Sequence, residues 1–186
     1  MKTINKSVVI IGKICSGKST LAKFIAENYS LPIISFGGYI KSHCIQNNLN
    51  TDRKTLQDVG ESFINTDHKK FLKDAIAFSA GDKKNLAFEG VRHKLILNEI
   101  KETSENAVFI FVKADIETRY KRYVRRERDS DKLNSFEQFK ESDSHSVEKE
   151  IDELEKSCDY VIDSALEEGE NKEYIIQKLT GGVFKA

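Results

Sequence analysis

Apolar and polar positions along this chain switch between two spacings. Val8–Ile11 is an unbroken apolar run ending at Gly12, which predicts a buried strand. From about Lys18 to Tyr29 the spacing lengthens, and Leu21, Phe24, Ile25 and Tyr29 share one face of a helix. The pattern then predicts a short strand at Ile33–Ser35 and helical segments over 39–46, 53–65 and 67–80. A buried strand, NLAFEG, covers 85–90, a helix follows over roughly 93–101, and AVFIFV at 107–112 is a second strong strand. Helical character returns over 116–126, 136–141 and 146–156. DYVID at 159–163 reads as a last strand and 171–179 as a last helix. Strands that are continuously apolar and alternate with helices predict an α/β fold: a parallel sheet covered on both faces.

Length and composition narrow the picture. A chain of 186 residues suits one domain spanning 1–186. Thirty basic and thirty acidic residues cancel, so no global charge draws the protein to nucleic acid or an acidic membrane. No apolar run is long enough to span a bilayer. The apolar N-terminal stretch leads into a glycine loop, not a small-residue cleavage site. Cys15, Cys44 and Cys158 are odd in number and widely spaced. They suit reduced thiols and predict a cytoplasmic protein. His43, His68, His93 and His145 form no metal-ligand spacing.

The chemistry starts at Gly12. Residues 12–19 read G-K-I-C-S-G-K-S, the pattern G-x-x-x-x-G-K-[ST]. Glycines let backbone N–H groups turn inward and phosphate approach closely. A helix beginning after Gly17 adds its positive end. Gly12, Lys13, Ile14, Cys15, Ser16, Gly17, Lys18, Ser19 and Thr20 are therefore the expected nucleotide cradle. Lys18 would reach the β- and γ-phosphates and Ser19 would hold Mg²⁺. Cys15 reads as a small filler in this loop.

Other segments sort the kinds of nucleotide protein. A guanine-reading N-K-x-D stretch is lacking, since NKSV at 5–8 has no Asp and precedes the loop. FIFVKAD at 109–115 lacks the Asp-Glu ending of a motor ATPase strand. The strand LAFEGVR instead ends in Glu89-Gly90-Val91-Arg92. An acid there lies at the carboxyl edge of a parallel sheet, where ligands bind. Arg92 offers a forked cation for phosphate.

These features resemble the P-loop nucleotide kinases, and nucleoside monophosphate kinases in particular, whose adenylate kinase members read Asp-Gly-Phe-Pro-Arg at that strand end. Here Glu replaces Asp and the motif is one residue shorter. ISFGGYIKS at 34–42 is similar to the segment opening their monophosphate-binding region, with Gly38 where an acid is common and Lys41 where Arg is usual. DRKTLQDVGE at 52–61 resembles the Arg-x-x-Leu-Gln-x-x-Gly element of deoxynucleotide-kinase-like and dephospho-CoA-kinase-like proteins. The basic run RYKRYVRRER at 119–128, then SFEQF and the acid-rich ESDSHSVEKE, resembles an archaeal nucleotide-kinase-like family. Arg119, Arg122 and Arg126 are spaced to lie near one helical face.

The resemblance implies a three-layer α/β/α P-loop NTPase sandwich with a parallel five-stranded sheet in the order 2-3-1-4-5. It implies an acceptor-binding helical region over 36–80 and a small helical lid over 116–145. ATP would be the donor, with Mg²⁺ held by Ser19 and Glu89. Lys18, Glu89, Arg122 and Arg126 would be catalytic, with Arg119 on the ATP. Lys41, Arg53, Gln57 and Arg92 would bind the acceptor. That acceptor would be a small nucleotide-type molecule, a (deoxy)nucleoside monophosphate, with neither nucleic acid nor membrane as partner. Two alternatives stand beside it: dephospho-CoA-kinase-like transfer to a hydroxyl, and a nucleotide-binding regulator without transfer activity.

Overall fold

The structure, a computed structural model, describes residues 3–125, 135–143 and 146–164. Five strands form one sheet: β1 (Ile4–Ile11), β2 (Ile33–Ser35), β3 (Asn85–Glu89), β4 (Ser104–Lys113) and β5 (Tyr160–Asp163). Their order is β2-β3-β1-β4-β5, and every pairing is parallel. This is the sheet and the order that the resemblance implied. Around it lie α1 (Lys18–Tyr29), α2 (Phe36–Gln46), α3 (Arg53–Ala80), α4 (Lys94–Thr103), α5 (Ile116–Val124), α6 (Phe136–Asp143) and α7 (Ser146–Leu154). The expected helix over 171–179 lies outside the described residues. Among the described residues, no helix is long and apolar enough to cross a membrane.

The two faces of the sheet follow from the period of two. Val9 and Ile11 turn to one side, with Ile34, Phe88, Phe109 and Phe111, and meet Ile64, Phe71, Ile96, Ile100 and Ile151 from the helices. Val8 and Ile10 turn to the other, with Ala87, Val108 and Ile110, and meet Ala22 and Ile25 of α1. Because Val8–Ile11 of β1 and Val108–Val112 of β4 are buried on both faces, these stretches are apolar without alternation.

Local polar groups set the helix ends. Ser35 accepts from Gly38 N at 3.3 Å and opens α2. Asp52 opens α3 by accepting from Thr55 N at 3.0 Å and Thr55 Oγ1 at 2.8 Å. Asp115 opens α5 by accepting from Thr118 N at 2.8 Å. α3 contains a break: Asp67 is extended, with φ −163° and ψ 91°, and its Oδ1 accepts from Lys70 N at 2.9 Å. It ends one helical piece and caps the next, which is why the sequence reads as two segments meeting there. All three cysteines are free thiols.

The sheet core depends on Phe88, which is fully buried on β3 and stacks on Phe36 with ring centroids 6.2 Å apart. Phe88→Ala should cost about 3–5 kcal/mol of stability. Urea denaturation should show a lower midpoint with an unchanged slope.

Candidate active site

The loop after β1 is held by close packing. A Cβ on Gly12 would fall 2.5 Å from the Val112 carbonyl oxygen and 2.6 Å from Ser16 Oγ. Gly17 precedes α1 with φ 98°, in the left-handed region. Lys18 opens the helix and donates back across the loop to the Lys13 carbonyl at 3.0 Å. Ser19 follows in the first turn, and the N–H groups of Thr20 and Leu21 donate to the Gly17 carbonyl at 3.0 and 3.1 Å. Ser16 Oγ is buried with no hydrogen-bond partner.

Side chains of the loop point outward to the helices that follow β4. Ile14 and Cys15 pack with Tyr123 of α5 and Phe139 of α6. Cys15 adopts φ 60°, the left-handed region, without being glycine. The Lys13 ammonium lies 2.7 Å from Asp152 and 3.4 Å from Asp143.

Sheet register aligns the acid with the loop. Glu89, the last residue of β3, pairs with Ile10 on one side and Ser35 on the other. Adjacent strands lie about 4.8 Å apart. The phosphate loop, the acid and the start of α2 therefore emerge side by side at the carboxyl edge. Glu89 Oε2 is buried and has no hydrogen-bond partner. Gly90, at φ 81°, brings this edge near α2, since a Cβ there would lie 3.9 Å from Gly37 N. Lys41 is exposed on α2, while Arg53 and Gln57 are half-buried on α3. Gly60 is on the same stripe of α3, and a Cβ there would come within 3.0 Å of Ile40 of α2. Arg53 and Gln57 thus share the face of α3 that meets α2. Arg92 is half-buried just beyond the strand end.

The arginines after β4 divide in a way their spacing does not reveal. Arg119, expected to face the nucleotide, is only 4% exposed and forms a two-pronged pair with Asp143 at 2.5 and 2.8 Å. Its Nε donates to the Ala114 carbonyl at 3.2 Å. Each of its three nitrogens thus donates inside the protein, which makes Arg119 a structural cation in this arrangement. Burial pushes the Asp143 carboxyl up, but hydrogen bonds and charge from Arg119 and Lys13 outweigh it and hold the group below its ordinary value. Asp143 therefore adds stability above the ordinary carboxylate range, and this is lost as pH falls through the lowered value.

Arg122 reaches the loop instead. It donates to the carbonyls of Cys15 and Ser16 at 3.4 and 3.2 Å and to Ser164 Oγ at 2.7 Å. Its Nη1 lies 3.7 Å from where a Cβ on Gly17 would be. Sequence reasoning missed Ser164, Asp143 and Asp152, because each meets the loop from a distant part of the chain. α5 ends at Val124, so Arg125 caps it and Arg126 lies outside the described residues.

Several other side chains have clear roles. His93 Nδ1 lies 3.0 Å from Glu150, which also accepts from Lys94 N at 2.9 Å at the start of α4. Phe71 is core, whereas Phe78, seven residues further along α3, is 54% exposed. The Cys158 thiol is pushed up to about 12, by burial first and then by Asp159 and Glu155, which keeps it protonated. No cluster of three metal-ligating His, Cys, Asp or Glu side chains occurs among the described residues.

Comparison with known proteins agrees with this architecture. Residues 12–140 match the family described as AAA domain, and the chain belongs to that family. No curated protein matches the sequence. Among solved structures, shikimate kinase from Aquifex aeolicus superposes with a TM-score of 0.61 at 18% identity, covering 97% of this chain and 99% of that one. Shikimate kinase from Acinetobacter baumannii, in complex with shikimate, gives a TM-score of 0.63 at 15% identity, with 99% and 97% covered. Deoxyadenosine kinase from M. mycoides with bound dATP gives 0.57 at 18% identity, with 94% and 99% covered. The fold is that of P-loop kinases.

The seat of Gly12 is directly testable. Gly12→Ala should displace the loop and weaken ADP binding about tenfold or more, since the clash is with backbone that cannot turn aside. Calorimetric titration checks the affinity, and an unchanged far-ultraviolet dichroism spectrum confirms that the sheet survives.

Proposed function

We propose that this member of the AAA domain family is an ATP-dependent phosphotransferase that moves the γ-phosphoryl group to a nucleotide-type acceptor, a (deoxy)nucleoside monophosphate. One observation carries the reading: the phosphate loop and the unpartnered Glu89 carboxylate emerge from neighbouring strands at the same edge.

Each residue then has a task. The loop N–H groups and the start of α1 bind the phosphates, and Lys18 adds a positive charge over the β- and γ-positions. Mg²⁺ fits the hard oxygen donors present, the Ser19 hydroxyl and the Glu89 carboxylate with its buried, unpartnered Oε2. When bound, it neutralises charge on the phosphate oxygens. Arg122, beside Gly17, steadies the loop on the side of α5. Lys41, Arg53 and Arg92 hold the acceptor's phosphate, with Gln57 beside them on α3. Such transfer relies on positioning and on cations, so little covalent chemistry is asked of the protein.

The same Glu89 favours a second reading, transfer to a hydroxyl of a nucleotide. A monophosphate arrives largely ionised, its second pKa being about 6, and needs no base. A hydroxyl must lose a proton as it attacks, and a buried carboxylate oxygen without a partner is suited to accept it. An assay of ADP release from Mg²⁺-ATP, with common ribo- and deoxyribonucleoside monophosphates and dephospho-CoA as acceptors, separates the two. Stimulation by a monophosphate supports the first reading and by dephospho-CoA the second. ATP binding without stimulation by any acceptor counts for a regulator.

Lys18→Ala should lower turnover about a hundredfold or more while leaving thermal unfolding unchanged. Arg92→Ala should raise the acceptor KM about tenfold and move the ATP KM less than about twofold. Steady-state kinetics with each substrate varied in turn checks both.

A further inference from the structure

The outward side of the phosphate loop is gripped by three helices. Lys13 pairs with Asp143 of α6 and Asp152 of α7. Ile14 and Cys15 pack on Tyr123 and Phe139. The carbonyls of Cys15 and Ser16 accept from Arg122 of α5. Cys15 is held in a left-handed conformation that a non-glycine residue keeps only when its surroundings impose it. Asp143 is the hub of this grip. Its Oδ1 takes one prong of Arg119, and its Oδ2 takes the other at 2.8 Å together with Lys13 at 3.4 Å. Arg119 in turn is tied to the Ala114 carbonyl where β4 runs into α5. Asp143 thus joins the loop, the end of β4 and α6 through two cations.

We propose that Asp143 is a positioning residue for nucleotide binding. By holding Lys13 and Arg119 it keeps loop 12–17 in the shape that directs its N–H groups at phosphate. It acts through those cations, not by touching the nucleotide. The proposal rests on the nucleotide-binding reading above. It makes a prediction opposite in sign to a simpler alternative, in which Asp143 and Asp152 only withhold Lys13 from the phosphates. In that case, removing either carboxylate charge would free the ammonium and tighten binding.

The experiment titrates ATP and ADP into the wild type and into Asp143→Asn, Asp143→Glu, Asp152→Asn, Lys13→Met and the Asp143→Asn/Lys13→Met double variant. Acceptor KM and unfolding temperature are measured alongside. Asp143→Asn should weaken both nucleotides about tenfold, with Asp143→Glu restoring part of the loss and acceptor KM within about twofold of wild type. Asp152 is 56% exposed, and Lys13 keeps Asp143 when Asp152 is neutralised, so Asp152→Asn should cost only about threefold. The double variant should bind no more weakly than the sum of two independent losses and nearer to Asp143→Asn alone, as members of one network do. Unchanged or tighter binding in folded Asp143→Asn overturns the proposal. If that variant does not fold, unchanged or tighter binding in Asp152→Asn and Lys13→Met overturns it instead. A wild-type protein that binds neither nucleotide overturns the functional reading first, and this proposal with it.

Discussion

Gly12 lies against β4 so closely that any side chain would meet the Val112 carbonyl oxygen. With the chain pressed there, the following residues rise over the carboxyl end of the sheet, and Gly17 turns them into α1. Lys18 can then reach back to the Lys13 carbonyl and close the loop on itself. The sheet supplies the level at which this happens. Ile10 pairs with Glu89 on one side and Ile110 on the other, so the loop, the acid and the end of β4 share one edge. The apolar surface buried on both faces of β1 fixes that register, because a slip by one residue would exchange the two cores.

Charge around this edge is not a diffuse basic field. Arg119 is neutralised by Asp143, and Lys13 by Asp143 and Asp152. Arg122 is turned onto carbonyls and Ser164. Asp143 of α6 therefore meets Arg119 and Lys13, Asp152 of α7 meets Lys13, and Arg122 is satisfied without an acid. With desolvation counted, the ionised Asp143 still favours the folded state, and removing one partner is costly because the other charge is left buried and unpaired. The pair's value also lies in geometry: the guanidinium fork accepts only one arrangement of loop, strand end and helix.

Much of the fold was legible from the sequence because burial writes itself as periodicity. The strands at 8–11 and 107–112 and the centre of 85–90 were apolar without alternation, and the break near Asp67 was marked by a polar cap residue within a helical pattern. The phosphate loop was legible because its residue types are set by local backbone needs. The division among the arginines was not. Arg119 and Arg122 lie close on one helix, and spacing alone gives them similar roles. What separates them is Asp143, 24 residues along the chain on another helix, and Ser164, 42 residues along after β5. Such pairings are set by tertiary packing, which leaves no periodic trace.

The loop itself carries both kinds of information. Gly12, Gly17, Lys18 and Ser19 satisfy demands of phosphate binding: close approach, a turn into a helix, a cation and a hydroxyl. The side chains of Lys13, Ile14 and Cys15 are free of those demands and meet the helices beyond β4, Lys13 through Asp143 and Asp152 and the other two through the cluster of Tyr123 and Phe139. One short segment therefore serves two surfaces. The side chains of Ile14 and Cys15 and the carbonyls of Cys15 and Ser16 face the protein, while the Lys13 carbonyl turns inward to accept from Ser16 N and Lys18. Since a peptide group is rigid, orienting its carbonyl orients its N–H as well. Holding the Cys15 and Ser16 carbonyls with Arg122 therefore also fixes the N–H groups of the residues that follow, Ser16 and Gly17. Preorganisation of the nucleotide cradle and attachment of the α5–α6–α7 region are one constraint seen from its two sides.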